Sequence, residues 1–488
     1  MAKESLVQSR LNKLQQLREK GINPFAEERF DRSHLAQEVK DNFPSLEGNI
    51  CRVAGRVLAI RSHGKSTFLD LHDSSGKIQI LIRKDKVGEE LYELLSHLDI
   101  GDIIGVSGAA IKTRTGEITI EADDFTFLAK ALQPFPEKWH GLREPELRYR
   151  FRYLDLIVNE KTREIFYKRA KIVQGIRDFL TQKGFLEVET PMMQPIPGGA
   201  FARPFITHHN ALDIDLYLRI AIELYLKRLL VGGIERVFEL GKCFRNEGIS
   251  TRHNPEFTLL EAYMAYGNLD DIKKLTEEML YYLAQKVQNS EEIQFKGNTI
   301  SLRPPFQSYS LYELLKRETK IDWERVKDLD GAKKMAESLG VDASTDRAVG
   351  DVVLKVFEKV VEPKLIQPTF VEDFPVEVSP LAKRRLDAPH LARRFELFVG
   401  GEEIANAFSE LNDPLDQRER FIEQMRRREA GDEEAHRMDE DFLLALEYGM
   451  PPAGGLGIGV DRLVMLFTDS HSIREVILFP LLRPKEEE

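Results

Sequence analysis

The sequence predicts an α+β protein: a small five-stranded β-barrel near the N-terminus, followed by a larger body of helices and antiparallel hairpins. Three observations carry that expectation. Short β-type runs crowd residues 51–127, a proline-rich stretch interrupts the chain near Pro134, and beyond it helical periodicities alternate with strand pairs closed by tight loops. The chain has 488 residues, two cysteines, 31% charged and 42% hydrophobic side chains and a net charge of −11, as expected of a globular protein of several domains. No window approaches the roughly 18 apolar residues of a membrane span, and MAKESLVQSR lacks the charged-then-apolar layout of a secretory signal, so a cytoplasmic location is expected. Cys51 and Cys243 stand far apart and fit neither a disulfide framework nor a CxxC-type metal site.

In chain order, residues 1–50 form an N-terminal helical extension. Leu6, Leu11, Leu14 and Leu17 recur at near-helical spacing among Arg10, Lys13, Arg18 and Lys20, a basic amphipathic helix that either packs on its neighbour or faces RNA. Residues 51–133 give five short strands separated by turn residues, with a helical stretch near 89–98 between the third and fourth, the pattern of an OB-type barrel. Such barrels bind single-stranded nucleic acid on a basic surface with stacking aromatics. Residues 52–86 carry eight basic against three acidic side chains, and Phe68 and Gln79 fall on the second and third strands, where one could stack on a base and the other hydrogen-bond to one. A core position for Phe68 is the alternative.

Residues 134–160 read as a linker or hinge, and 161–488 as a second domain. In it, Ile165, Phe166, Ile172, Val173, Ile176, Phe179 and Leu180 mark a helix over 163–183 that stops at Gly184, followed by the short strand of GFLEVETPMM. A helical insertion is expected at about 267–360, with Asn268 capping its first helix. The charged run 416–440 reads as solvated helix face.

Three segments bear chemistry. VFELGKCFRNE and EFTLLEAYMAY, joined by a basic loop, predict an antiparallel pair with Arg245 and Glu247 on one face of the first strand and Phe257, Glu261 and Tyr263 on one face of the second; if the pairing brings those faces together, all five project to one side. Burying those charges without a ligand requires an internally paired network, and a ligand site is the other solution. LGIGVDR predicts a glycine strand entering a helix at Arg462, with backbone lying close under a nucleotide; it departs from a dinucleotide fingerprint at its sixth position, and close strand-to-helix packing is the alternative. In RFELFVGGEEIANAFSELNDP, Gly400-Gly401 turns a hairpin that sets Glu396 and Glu403 diagonally on one face, suited to Mg²⁺ or to solvent. Strict alternation puts Asn406, Phe408 and Glu410 on the opposite face from Glu403. Either a bulge intervenes or the two groups serve different sites.

In this order the segments resemble the class II aminoacyl-tRNA synthetases, with the helix and GFLEVETPMM as their first motif, FRNEGISTRHNPEF as the second and GLGIGVDRL as the third. The barrel is similar to that of the subgroup specific for lysine, aspartate or asparagine (subclass IIb). IPGGAFARPFITHHNALD, the FRNEGIS loop and EIANAFSELNDP resemble the bacterial-type lysyl-tRNA synthetases, and the likeness covers nearly the whole chain. A lysine pocket should offer carboxylates and an aromatic wall, whereas an aspartate pocket needs a cation.

The resemblance implies an ATP-dependent ligase that forms lysyl-adenylate and pyrophosphate from L-lysine and ATP and passes lysine to the 3′-terminal ribose of tRNA(Lys). It implies a cytoplasmic homodimer joined through the first motif, without membrane contact, and an antiparallel catalytic sheet flanked by helices. By the same resemblance Arg245 and Arg462 are the catalytic arginines on the phosphates, and Glu247, His253, Asn254 and Phe257 complete the ATP site. Gly199, Glu223, Glu261, Tyr263, Asn406, Phe408 and Glu410 would bind lysine, Glu396 and Glu403 would hold Mg²⁺ (up to three ions with ATP), and Phe68 and Gln79 would meet the anticodon. Departures are local. Ile222 stands where the family usually has proline, which frees one backbone donor beside the pocket; Phe201 occupies a position where a small residue is also found, and Ala392-Arg393-Arg394 replaces the more usual Thr-Glu-Arg.

Overall fold

A computed structural model describes residues 2–135 and 144–484, which fall into two compact units, one from residues 1–140 of the chain and one from residues 141–488. In the first unit, β1 (Ile50–His63), β2 (Ser66–His72), β3 (Lys77–Arg83), β4 (Ile103–Lys112) and β5 (Ile118–Ala129) close a barrel in the order β1-β2-β3-β5-β4. Only β3 and β5 pair in parallel. Alternation sends Leu69, Leu71, Ile78, Ile80 and Ile82 inward, each buried. Phe68 and Gln79 therefore point out of the barrel on adjacent strands, where Gln79 Oε1 accepts from Thr119 Oγ1 (3.0 Å). The core alternative for Phe68 falls with that register.

Helix α1 (Ala2–Glu19) buries Leu14 and Leu17 but leaves Leu6 and Leu11 exposed, so only half of the expected stripe packs. Its basic residues serve the packing. Arg10, itself buried, donates to the carbonyls of Ile100, Ala131 and Gln133, and Lys13 pairs with Asp99 at 2.7 Å. The positive stretch 52–86 is also largely neutralised. Arg61 and Lys77 meet Asp70, Arg83 meets Asp85 and Glu121, Lys84 meets Glu89, and Lys86 meets Glu121 and Asp123. Glu89 and the two acids from β5 lie outside the window in which the charge was counted.

In the second unit, helix α2 (Glu160–Gln182) ends at Gly184, whose φ of +80° suits only glycine well. The chain then makes β6 (Leu186–Glu187), α3 (Glu223–Val231), β7 (Arg236–Phe244), β8 (Glu256–Ala265) and α4 (Leu269–Gln288), which Asn268 caps through its side chain. After these come β9 (Gln307–Ser310), α5 (Val349–Val360), β10 (Thr369–Glu372), β11 (Arg394–Val399), β12 (Glu402–Ser409), α6 (Pro414–Glu429), β13 (Ala453–Gly459) and α7 (Val460–Thr468). One eight-stranded sheet runs β9-β10-β11-β12-β13-β8-β7-β6, antiparallel except for its two outermost pairs. Helices α2, α4 and α7 cover one face. Ile172, Ile176, Ile272, Met279, Leu463 and Phe467 pack there against Phe238, Leu260, Leu397 and Ile458. The pleat turns the alternate residues of the same strands to the other face, and the cleft described below opens on that face.

Two expectations are corrected. The linker 134–160 holds helices at Pro145–Arg150 and Arg152–Val158, tied down by the buried Arg152, which pairs with Asp155 and donates to Leu478 O; residues 136–143 of that linker lie outside the described residues. The stretch 267–360 is not purely helical. Its first helix, α4, belongs to the main core, a hairpin joins Glu292–Phe295 to Asn298–Ser301, and a separate core gathers around Leu314, Trp323, Val356, Phe357 and Phe374.

Candidate active site

The cleft encloses about 970 Å³ on the uncovered face of β8, β13 and β12. Its floor is built by register. Phe257, Leu259, Glu261 and Tyr263 of β8 lie opposite Cys243, Gly241, Glu239 and Val237 of β7, so the two faces of the hairpin do come together. On the other side, Leu259, Glu261 and Tyr263 stand opposite Gly459, Gly457 and Gly455 of β13. A Cβ on Gly455 would fall 2.0 Å from Glu410 Oε1 and 2.5 Å from the Tyr263 ring. At Gly457 it would meet only Asn406 O, at 3.7 Å, so bare backbone faces the cavity there.

The Gly400-Gly401 turn has φ of +64° and +71°, the conformation that a two-residue hairpin needs at both positions. Beyond it Phe398 pairs with Glu403 and Leu397 with Ala405, leaving Ile404 unopposed. That bulge flips the alternation. Glu403, Asn406, Phe408 and Glu410 consequently all line the cleft, which resolves the conflict in the sequence pattern.

At one end of the cleft, three carboxylates and two aromatics converge. Glu261 Oε1 accepts from the Ile222 N–H (3.0 Å) and Oε2 from the Tyr263 hydroxyl (2.9 Å). The donor freed by having isoleucine rather than proline at 222 is thus spent on Glu261. Burial, reinforced by the charge of Glu223, pushes the Glu261 carboxyl up to about 7. Burial likewise raises Glu410 to about 8 and Glu223 by an amount that Lys227 opposes. Lys227 Nζ donates to Glu223 Oε1 (2.6 Å) and lies 2.5 Å from Glu410 Oε2. Gly199 holds φ at +91°, with Ala221 and Glu223 directly beneath its Cα.

At the other end stand the arginines. Arg245 lies over the Phe257 ring, 5.0 Å from its centroid, and Arg462, in the first turn of α7, donates to Glu403 Oε2 (3.0 Å) and Glu403 O (3.1 Å). His253 accepts or donates at Ser250 Oγ (3.0 Å), and although its surface is exposed, partial desolvation and then the charge of Arg462 lower its pKa. Asn254 donates to Glu256 O (2.7 Å) and leaves its buried Oδ1 without a donor. Glu247 also lines the cleft.

Glu396 lies beside this end, held by Arg394, which also donates to Asn406 Oδ1 (3.2 Å). Burial first, then repulsion from Glu403, raises Glu396 to about 8. Glu396 and the neighbouring Glu403, whose charge raises the Glu396 proton affinity, are a fit donor set for a divalent cation. Among the described residues there is no cluster of three or more potential ligands. Mg²⁺ is an ion commonly held by one or two carboxylates plus substrate phosphates and water.

Several participants escaped the sequence reading. Lys227 sits four residues after Glu223 on α3, a helical pair spacing that could have flagged it. Asp461 accepts from the Thr258 N–H (2.6 Å) and pairs with Arg169 (2.6 Å), fastening α7 and α2 to β8 through partners no local pattern reveals. The run 416–440, taken as solvated, contributes Arg427, Asp432, Glu433, Glu434 and His436 to the cleft wall. The ring of Phe201 stands edge-on to the buried His436 (4.9 Å), whose pKa burial lowers to about 4.

Comparison with known proteins agrees with this geometry. Residues 144–483 match the family model described as tRNA synthetases class II (D, K and N), and residues 51–128 match the OB-fold nucleic acid binding domain. A protein of Pelotomaculum thermopropionicum named lysine–tRNA ligase is 58% identical over 99% of this chain and 95% of its own length. Proteins of the same name from Carboxydothermus hydrogenoformans (57% identical, 99% and 98% covered) and Moorella thermoacetica (55%, 100% and 99%) are also similar end to end. With its barrel, its eight-stranded sheet and matches of this extent, the chain belongs to the class II tRNA synthetases of the D, K and N group.

Proposed function

We propose that this chain is a lysine–tRNA ligase, which activates L-lysine with ATP and transfers it to the 3′-terminal ribose of tRNA(Lys). One observation carries the amino-acid assignment: Glu223, Glu261 and Glu410 converge with Tyr263 and Phe408 on one end of the cleft, a surface complementary to an ammonium on an apolar stem. In this reading Glu261, Tyr263 and Glu410 receive the side-chain ammonium, while Gly199, Glu223 and Asn406 fix the other end of the amino acid.

The lysine carboxylate is ionised at neutral pH and attacks the α-phosphorus of ATP without a general base, expelling pyrophosphate. Arg245 opposes charge developing on the α-phosphate, and Arg462, released from Glu403, meets the γ-phosphate. Phe257 supplies a flat face for adenine, and Glu247, His253 and Asn254 complete the nucleotide contacts. Glu396 and Glu403 would hold Mg²⁺, which neutralises phosphate charge when bound. Up to three ions accompany ATP. The rest of the catalysis is positioning in a cleft whose donors are already oriented.

Phe68 and Gln79, projecting from the barrel, are assigned to the anticodon. Their support is outward placement on neighbouring strands rather than net charge, since five of the eight basic residues at 52–86 are ion-paired. A homodimer is supported by apolar side chains left open around the first motif, among them Leu186 (53% exposed), Met193 (55%) and Ile206 (61%). Among the described residues no helix is long and apolar enough to cross a membrane, and we assign the enzyme to the cytoplasm.

The test is amino-acid-dependent exchange of pyrophosphate into ATP across all twenty amino acids. Lysine should be preferred, and preference for any other would overturn the pocket assignment.

A further inference from the structure

Lys227 is a side chain that the mechanism above does not use. It leaves α3 one turn after Glu223, is completely buried, and places its Nζ between Glu223 Oε1 (2.6 Å) and Glu410 Oε2 (2.5 Å), with Leu381 O at 3.4 Å. A lysine side chain tucked wholly inside a protein is uncommon and persists only when paired. The groups facing it come from every surrounding element: Glu223 on its own helix, Glu261 and Tyr263 of β8, Glu410 after β12, His436 after α6, and Arg394 of β11. Of the other two basic groups, Arg394 is committed to Glu396 and His436 is neutral.

The charge balance follows. With substrate bound, whose ammonium groups favour the ionised carboxylates, three pocket carboxylates less one resident ammonium leave two negative charges, and a free diamino acid brings two ammonium groups; its carboxylate lies toward Arg245. Geometry adds a second constraint. Glu223 serves the α-amino end of the substrate and Glu410 the side-chain end, and one nitrogen grips both. The spacing between the two ends of the pocket is therefore set by a rigid internal bridge rather than by the substrate.

We propose that Lys227 is a specificity-determining positioning residue, a built-in counter-ion that ties Glu223 to Glu410 and so fixes both the charge and the length of amino acid accepted. The inference rests on the lysine-activating reading. Without the bridge the two carboxylates repel and spread, or share a proton, and the pocket loses its preference for a four-methylene stem over a three-methylene one.

The experiment compares the unaltered protein with Lys227→Met, which keeps the volume and removes the charge, and Lys227→Gln, which keeps a hydrogen-bond donor. Pyrophosphate exchange is measured against lysine, ornithine and ATP, with heat unfolding run alongside. For Lys227→Met we expect the lysine KM to rise about tenfold or more and the lysine-to-ornithine ratio of kcat/KM to fall about fivefold or more, with the ATP KM within about twofold. Lys227→Gln should lie between. Equal rises in the lysine and ATP KM values, or an unchanged lysine-to-ornithine ratio, would overturn the proposal. So would two variants that fail to fold, because that outcome assigns Lys227 to stability rather than to selection. Failure of the unaltered protein to exchange with lysine would instead remove the underlying reading.

Discussion

Replacing Glu261 by glutamine isolates the charge at the acidic end of the cleft. The amide is nearly isosteric, its oxygen can still accept from the Ile222 N–H, and the Tyr263 hydroxyl can turn to accept from the new amide N–H, so both neighbours keep a partner. What disappears is one of two carboxylates expected around the bound ammonium. A charge-assisted hydrogen bond in a buried site contributes about 3 kcal/mol, or roughly two orders of magnitude in the lysine KM, while the ATP KM should stay within about twofold. The pH dependence sharpens the test. Burial holds the Glu261 proton up to about 7, so in the unaltered protein the lysine KM should fall as pH rises from 6 to 8 and level off above. In Glu261→Gln that portion of the profile should shrink to the share contributed by Glu410, which burial raises to about 8. The assay is lysine-dependent pyrophosphate exchange at four or five pH values. Equal increases in both KM values, or a pH profile identical in the two proteins, would refute the placement of Glu261 against the substrate ammonium.

Other outcomes follow from the same geometry. Arg245→Ala should abolish exchange, because it removes the cation opposing charge on the α-phosphate, and near-normal exchange would sink that role. Ile222→Pro deletes the donor to Glu261 Oε1, which favours the charged carboxylate; Glu261 should titrate higher and the lysine KM near pH 7 should rise about fivefold, with the gap closing above pH 9. A gap that is constant with pH would point to backbone distortion instead. Phe68→Ala should weaken tRNA charging while leaving exchange and the unfolding temperature unchanged, since the ring lies outside the barrel core. In heat unfolding of the ligand-free protein, Glu261 should lower stability as pH rises from about 4.5 to 7. The native state holds its proton more tightly than the unfolded chain, whose carboxyl sits at the ordinary value of 4.5. The slope over that interval should be shallower in Glu261→Gln, and equal slopes would contradict the raised value.

Much of this was legible because periodicity and tight turns are local. The five barrel strands, the α2 stripe, the Asn268 cap and the Gly400-Gly401 hairpin all declare themselves within a dozen residues. Even the irregularity in β12 shows in the pattern, since the polar residues on either side of Ile404 can share a cleft only through a bulge. What stayed hidden depends on partners distant in sequence. The basic stretch 52–86 looked like an RNA-binding face until β5 brought in Glu121 and Asp123. Arg169 reaches Asp461 across nearly three hundred residues, and Arg228 reaches Asp439 across more than two hundred. Charge counted along a chain says little about charge presented in space.

That last point bears on why an enzyme acting on a polyanion carries a net charge of −11. Burial raises the proton affinity of Glu223, Glu261, Glu396 and Glu410 together, and repulsion between neighbouring carboxylates adds to it, so the ligand-free cleft is electrostatically unfavourable at neutral pH. Lys227, Arg394 and Arg462 offset part of this from within, and none of them offsets all of it. A proton can relieve the remainder, and on the proposed reading so would an ammonium at the Glu261 end and a divalent ion at the Glu396 end. The same excess works against an amino acid with an anionic side chain, which would meet three carboxylates and one ammonium already committed. On the proposed reading, rejection of aspartate would need no dedicated barrier, because the pocket's uncompensated charge would supply it.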